Sequence, residues 1–136
     1  MAILKYSRQR ESIKDYLANT SEHPTADTIY LNVKESFPNI SLGTVYRNLN
    51  LLADLGEAVK ISIPHSSDRF DGRTFPHNHF VCISCGKVID LEMDSIENIN
   101  DLAGKHFDGE ILSHSTLFYG NCADCLEHSA KKRYKN

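Results

Sequence analysis

Apolar side chains recur through the first part of the chain at helical spacing. Between Ser7 and Thr20, Ile13, Tyr16 and Leu17 share one face while Arg8, Arg10 and Lys14 take the remaining surface, which predicts a first helix. Ser21-Glu22-His23-Pro24 breaks it, because proline disfavours helix at the residue before it and suits the first turn of the next. Thr25 then caps a second predicted helix striped by Ile29, Tyr30, Val33 and Phe37, with Pro38-Asn39 as its end. Ser41 is the N-cap expected for a third, Leu42 to Leu55, with Val45, Leu49, Leu52 and Leu55 inward and Gly56 where a left-handed cap belongs. Thr44, Tyr46, Arg47 and Asn50 are left on its other faces. Two short helices joined by a tight turn, the second with donors near its N-terminus, match a helix-turn-helix.

The period changes to two at Ala58-Val-Lys-Ile-Ser-Ile63, and after the Pro64 to Asp68 turn the chain returns through Arg69-Phe-Asp71. That hairpin reads as a wing. Gly72 to Pro76 is the expected hinge, bracketed by glycine and proline. Beyond it, Phe80 to Cys82 and Lys87 to Leu91 read as strands flanking a Cys-Ile-Ser-Cys-Gly turn, followed by a helix around Ser95 to His106. Glu110 to Tyr119 alternates loosely as a further strand. Cys122 opens a short polar helix that ends in the basic run Lys131 to Lys135, read as a solvated end.

Composition narrows the class. The 136 residues, 40% apolar and 24% charged, suit a soluble chain of one ordinary domain or two small ones. No apolar run is long enough for a signal peptide or approaches the roughly 18 residues of a membrane span, so a cytoplasmic location is expected. The net charge of -3 is unevenly placed: residues 1–75 hold nine Lys/Arg against nine Asp/Glu, and residues 76–136 hold six against nine. The first part is therefore neutral and would bind DNA only through a local basic face.

The four cysteines change the picture most. Cys82/Cys85 and Cys122/Cys125 form two C-x-x-C pairs, which in a reducing compartment read as a closed tetrahedral zinc site. Four thiolates leave no position for substrate, so this zinc is a structural staple. His77, His79 and Asp90 are then surplus. Two residues apart on an extended strand, the histidines point the same way, and Asp90 ends the adjacent strand. Such nitrogen and oxygen ligands suit iron, manganese or zinc and can leave positions open. Read one at a time, His-x-His is also a common neighbour of zinc ribbons, Asp90 a solvated strand end, His23 a loop residue and Asp71 a turn residue.

Together, His23-Pro-Thr-Ala-Asp, Phe37-Pro-Asn-Ile-Ser-Leu-Gly-Thr-Val-Tyr-Arg-Asn-Leu, Ser67-Asp-Arg-Phe-Asp71, His77-x-His-x-x-Cys-x-x-Cys-Gly and Gly120-Asn-Cys-x-x-Cys closely resemble the ferric-uptake-regulator superfamily, from about Ser7 to Cys125. The likeness is greatest to its peroxide-sensing branch. The resemblance implies an α+β fold: an N-terminal winged-helix DNA-binding domain over residues 1–74, then a small α/β dimerisation domain with the four-cysteine zinc site over 75–136. It implies a homodimer on a palindromic double-stranded DNA operator, and no enzyme. It implies a regulatory Fe(II) or Mn(II) held by His23, Asp71, His77, His79 and Asp90, clamping the two domains in the DNA-binding arrangement. Asp90 carries the choice of branch, since iron-sensing relatives typically have glutamate there. Their further metal site would fall on Pro76, Asn78, Glu97 and His114, where proline cannot ligate and asparagine is a poor ligand, so a filled third site is not expected. Thr44, Tyr46 and Arg47 are expected to touch bases, and Arg8, Arg10, Lys14 and Lys60 phosphates. Peroxide is expected to oxidise a ligand imidazole, His23 or His77, through bound Fe(II), opening the clamp.

Three other readings stand beside this one. A metal-dosage sensor for iron, manganese or zinc would use the same clamp without oxidation. A non-haem iron enzyme would use His77, His79 and Asp90 with an open position and would have no need of a helix-turn-helix. A zinc-ribbon adaptor would have no use for five further ligands.

Overall fold

In the computed structural model, which describes residues 6–75, 77–94, 96 and 98–134, the first three helices each begin at a side-chain cap. Ser7 Oγ accepts from the Arg10 N–H (3.2 Å) at the head of α1 (Arg8–Ala18), Thr25 from Thr28 (3.3 Å) at α2 (Ala26–Val33), and Ser41 from Thr44 (3.1 Å) at α3 (Leu42–Asp54). The chain divides into two compact units, Met1–Phe75 and Pro76–Asn136.

In the first unit the three helices and a hairpin enclose one core. Ile13 and Leu17 of α1, Ile29 and Val33 of α2, and Val45, Leu49 and Leu52 of α3 pack with Phe70. Phe70 lies in the antiparallel hairpin of β1 (Val59–Ile61) and β2 (Arg69–Asp71), paired Val59 with Asp71. Two expectations shift. The second helix stops at Val33, because the Ser36 and Phe37 N–H groups turn back onto the Val33 carbonyl (3.1 and 3.0 Å), and Phe37 reaches the core from that turn. Leu55, expected inward, is 46% exposed. The Glu57 and Ala58 N–H groups both bond the Leu52 carbonyl as the chain reverses at Gly56 (φ +75°), so Ala58 fills the inward place instead.

The second unit is built on β3 (Asn78–Cys82), the centre of a three-stranded sheet. β4 (Val88–Leu91) pairs with it antiparallel and β5 (Leu117–Gly120) pairs parallel, through a crossover that holds α4 (Ile99–Gly104). The helix expected from Ser95 to His106 is therefore shorter: Asn98 is left-handed at φ +64° just before α4, and Ser95 and Glu97 lie outside the described residues. The strand expected from Glu110 begins only at Leu117. α5 (Ala123–Tyr134) follows, and Lys135 falls outside the described residues. Among the described residues, the buried apolar ones here are Val81, Cys82, Val88 and Cys122, while Ile83, Phe107, Leu112, Tyr119 and Leu126 are exposed. So thin a core does not hold a unit of this size without another tie. No described helix is long and apolar enough to cross a membrane.

Candidate metal centres

The register of the sheet brings the cysteine pairs together. β3 ends at Cys82, and the chain turns over Gly86 (φ +78°), with the Gly86 N–H on the Cys82 carbonyl at 2.8 Å. Parallel pairing sets Gly120 beside Cys82, and the Ile83 N–H donates to the Gly120 carbonyl at 2.8 Å, which lays the second C-x-x-C pair against the first. Each cysteine places its sulfur within 4.8 Å of the other three. Cys82 and Cys125 are 3.6 Å apart and Cys85 and Cys122 are 3.8 Å apart. A tetrahedron with metal–sulfur bonds of about 2.3 Å has edges of about 3.8 Å, so the donor set fits zinc.

Backbone amides tune these sulfurs. The N–H groups of Cys122 (3.4 Å) and Cys85 (3.5 Å) donate to Cys82 Sγ, and these bonds lower its thiol to about 6 from the ordinary 9.0. Cys125 is pushed up to about 12, first by its hydrogen bond with the Cys122 sulfur and then by that with Cys82. Of these two, Cys82 becomes a thiolate well before Cys125.

Within the first unit, His23 and Asp71 form a buried pair, Nε2 to Oδ2 at 3.2 Å. Forty-eight positions separate them in sequence, and the link is the loop between α1 and α2, which runs along β2. The Phe70 N–H donates to the Pro24 carbonyl at 3.0 Å and Thr25 bridges Arg69 in antiparallel fashion, so His23 comes level with Asp71. The other oxygen of Asp71 accepts from the Arg73 N–H at 2.9 Å, which fixes the carboxylate. Gly72 makes the approach feasible, since a Cβ there would stand 2.7 Å from the Leu17 carbonyl oxygen.

Within the second unit, Asp90 lies opposite His79 in the β3–β4 register. Its Oδ1 is 3.0 Å from His77 Nε2 and 3.2 Å from His79 Nε2, and the two rings stand 4.4 Å apart between centroids. His77 precedes β3 rather than lying on it, yet still reaches the same carboxylate oxygen. Two donors at about 2.1 Å from one octahedral ion lie about 3.0 Å apart, so all three nitrogen–oxygen separations, including that of His23 and Asp71, equal cis edges around a metal. Without a metal they are ordinary imidazole–carboxylate contacts.

Two of the four residues named for a third site, Asn78 and His114, are engaged otherwise. Asn78 accepts a hydrogen bond from the Thr116 hydroxyl, and His114 Nδ1 bonds Asn100 Oδ1 at 2.7 Å. His114 lies before β5, not in a strand; Pro76 and Glu97 are outside the described residues. On the first unit, Thr44, Tyr46 and Arg47 occupy the first two turns of α3, where Arg47 donates to the Thr44 hydroxyl at 2.9 Å and Tyr46 is 40% exposed. Arg8, Arg10 and Lys14 lie on α1 and Lys60 on β1. Lys14 pairs with Glu57 at 3.2 Å, and Lys60 reaches Asn50 at 3.3 Å and Asp68 at 3.5 Å. Sequence reasoning missed Arg69, whose Nη1 donates to the His23 carbonyl at 3.2 Å. Its place in the Ser67 to Asp71 motif was the available pointer.

A model of the ferric uptake regulator family matches residues 2–119. The peroxide-responsive repressor PerR of Staphylococcus epidermidis is 36% identical over 124 residues, 91% of this chain and 83% of that protein, and its Staphylococcus aureus counterpart is 37% identical over 91% and 84%. Among solved structures, the Helicobacter pylori ferric uptake regulator, described as having three functional metal binding sites, superposes with TM-score 0.76 at 27% identity, over 90% of this chain and 83% of that one. The Campylobacter jejuni peroxide stress regulator gives 0.73 at 32% identity, over 86% and 88%. This chain belongs to the ferric uptake regulator family, whose members are transcriptional regulators and not enzymes.

Proposed function

We propose that this metal-dependent repressor of the ferric uptake regulator family releases its operator in response to hydrogen peroxide. The observation that carries the reading is the Asp90 carboxylate shared by His77 and His79, an oxygen and nitrogen set separate from the sulfur cluster, in a chain that resembles peroxide-responsive repressors over most of its length. The four cysteines hold a structural Zn(II) that ties the end of β5 to the β3–β4 turn. His23 and Asp71 offer two ligands, and His77, His79 and Asp90 offer three. Neither set alone supplies enough donors for a six-coordinate ion, whereas the five together would hold one and leave a single position for peroxide. One Fe(II) or Mn(II) binding both sets stabilises the arrangement that grips DNA by the difference in its affinity for the two states.

The first unit then acts as a winged helix-turn-helix, α2 and α3 being the two helices and β1–β2 the wing. Thr44, Tyr46 and Arg47 reach base edges from α3, and Arg8, Arg10, Lys14 and Lys60 meet phosphates, Lys14 and Lys60 by exchanging their carboxylate partners. The second unit forms the homodimer through apolar side chains exposed in the single chain, such as Leu112 and Tyr119. Two first units on one dimer call for a palindromic operator.

Bound Fe(II) supplies the reduction of peroxide, which Mn(II) does not readily perform. The ring of His23 or His77 takes one oxygen atom from the peroxide and the second leaves as water. An oxidised ring is a weaker donor, so its half-set lets go and the DNA is released. Asp71 and Asp90 keep their charge and stay in place. The test is the mass of tryptic peptides after peroxide treatment of the Fe(II) and Mn(II) forms. A gain of one oxygen on a peptide bearing His23 or His77, in the Fe(II) form alone, is expected, and no gain in either form rejects peroxide sensing in favour of metal-dosage sensing.

A further inference from the structure

His23 adopts a backbone conformation that an L-residue avoids, φ +53°, in the left-handed region. It also precedes a proline, which restricts it further. What holds it comes from β2. Arg69 Nη1 donates to the His23 carbonyl at 3.2 Å, Thr25 bridges Arg69, and the Phe70 N–H donates to the Pro24 carbonyl at 3.0 Å. Residues two apart on a strand point to the same side, so Arg69 and Asp71 share a face of β2. From that face Arg69 bonds the backbone of His23 while Asp71 meets its ring.

We propose that Arg69 is a positioning residue for the metal half-set: its guanidinium holds His23 in the left-handed conformation, so that Nε2 stands beside the Asp71 carboxylate before a metal ion arrives. The inference rests on the reading that His23 and Asp71 ligate the regulatory ion. A cation makes no metal bond itself, so Arg69 acts through the His23 main chain. Without that hydrogen bond the loop can relax toward ordinary backbone angles, which swings the imidazole away from Asp71. A metal would then have to reorder the loop as it binds, and its affinity falls.

The test uses the full-length, zinc-loaded protein with Mn(II) as the probe, in wild type, Arg69→Gln, Arg69→Lys and His23→Ala. Mn(II) affinity, the Mn(II) paramagnetic resonance spectrum and the thermal midpoint of the Mn(II)-free protein are measured together. Arg69→Gln is expected to weaken Mn(II) by about tenfold or more and to alter the spectrum, with Arg69→Lys in between, while zinc content stays at that of wild type. If Arg69→Gln does not fold, Arg69→Lys alone decides. Affinity within about twofold of wild type in the folded Arg69 variants, with binding lost in His23→Ala, overturns the role of Arg69. A loss of affinity reproduced by Ile29→Val, a core change of matching midpoint, overturns it too, because general loosening would then suffice. Unchanged affinity in His23→Ala overturns the reading of the site instead.

Discussion

Asp90 meets His77 and His79 on a single oxygen, so its carboxylate holds that set together. Asp90→Asn keeps the shape and removes the charge, and it should weaken Mn(II) by at least about tenfold in a metal titration while leaving zinc content unchanged. Gly72 makes a separate prediction, of stability. An added Cβ would meet the Leu17 carbonyl carbon at 2.8 Å and the Ala18 nitrogen at 3.0 Å, backbone atoms that cannot swing aside. Gly72→Ala should cost about 1–3 kcal/mol in denaturant unfolding and loosen the His23–Asp71 pair. The cap residues Thr25 and Ser41 were legible in the sequence because a cap bonds an N–H three positions away. The meeting of His23 with Asp71 was not legible from local pattern, since it depends on a loop lying along a strand far off in the chain; only the family resemblance grouped the two residues.

Elements were read well where one period ran unbroken and poorly where the chain reversed. The stripe of α3 was plain, but Leu55 continues that stripe in sequence while the backbone has already turned at Gly56. Between β4 and β5 the apolar residues have no clear period, so the expected helix and strand were both too long. The cysteine knuckle was legible because its spacing is short and its chemistry particular. It also gives the clearest element-level prediction. The eleven-residue core of buried side chains belongs wholly to the first unit, whereas the second buries few apolar groups. Stripping zinc with a strong chelator under reducing conditions should therefore unfold β3–β5 while α1–α3 remain, seen as loss of amide-exchange protection confined to residues beyond Phe75. Acid should act likewise. Protons compete with the metal for the four sulfurs, so the tie is lost as pH falls and the second unit should open before the first.

On the scale of the whole molecule, the function proposed above puts two coordination chemistries to different uses. The sulfur set is local, and in that proposal it serves folding. The histidine and carboxylate sets are divided between the two units, so the proposed ion, needing both, would report on their arrangement, and removal of one imidazole would remove the report. The neutral charge of the first unit fits the proposed dependence: nine basic against nine acidic residues give little non-specific attraction for DNA, so on that proposal binding comes from two correctly placed copies of α3. The most direct measurement is DNA binding by the zinc-loaded protein to a fragment it selects from random sequence in the presence of Mn(II), repeated metal-free, with Mn(II), and with Fe(II) under anaerobic conditions, each before and after hydrogen peroxide. The account predicts tight binding only with metal, abolished by peroxide in the Fe(II) form and retained in the Mn(II) form; equal binding without metal, or an Fe(II) complex indifferent to peroxide, would contradict it.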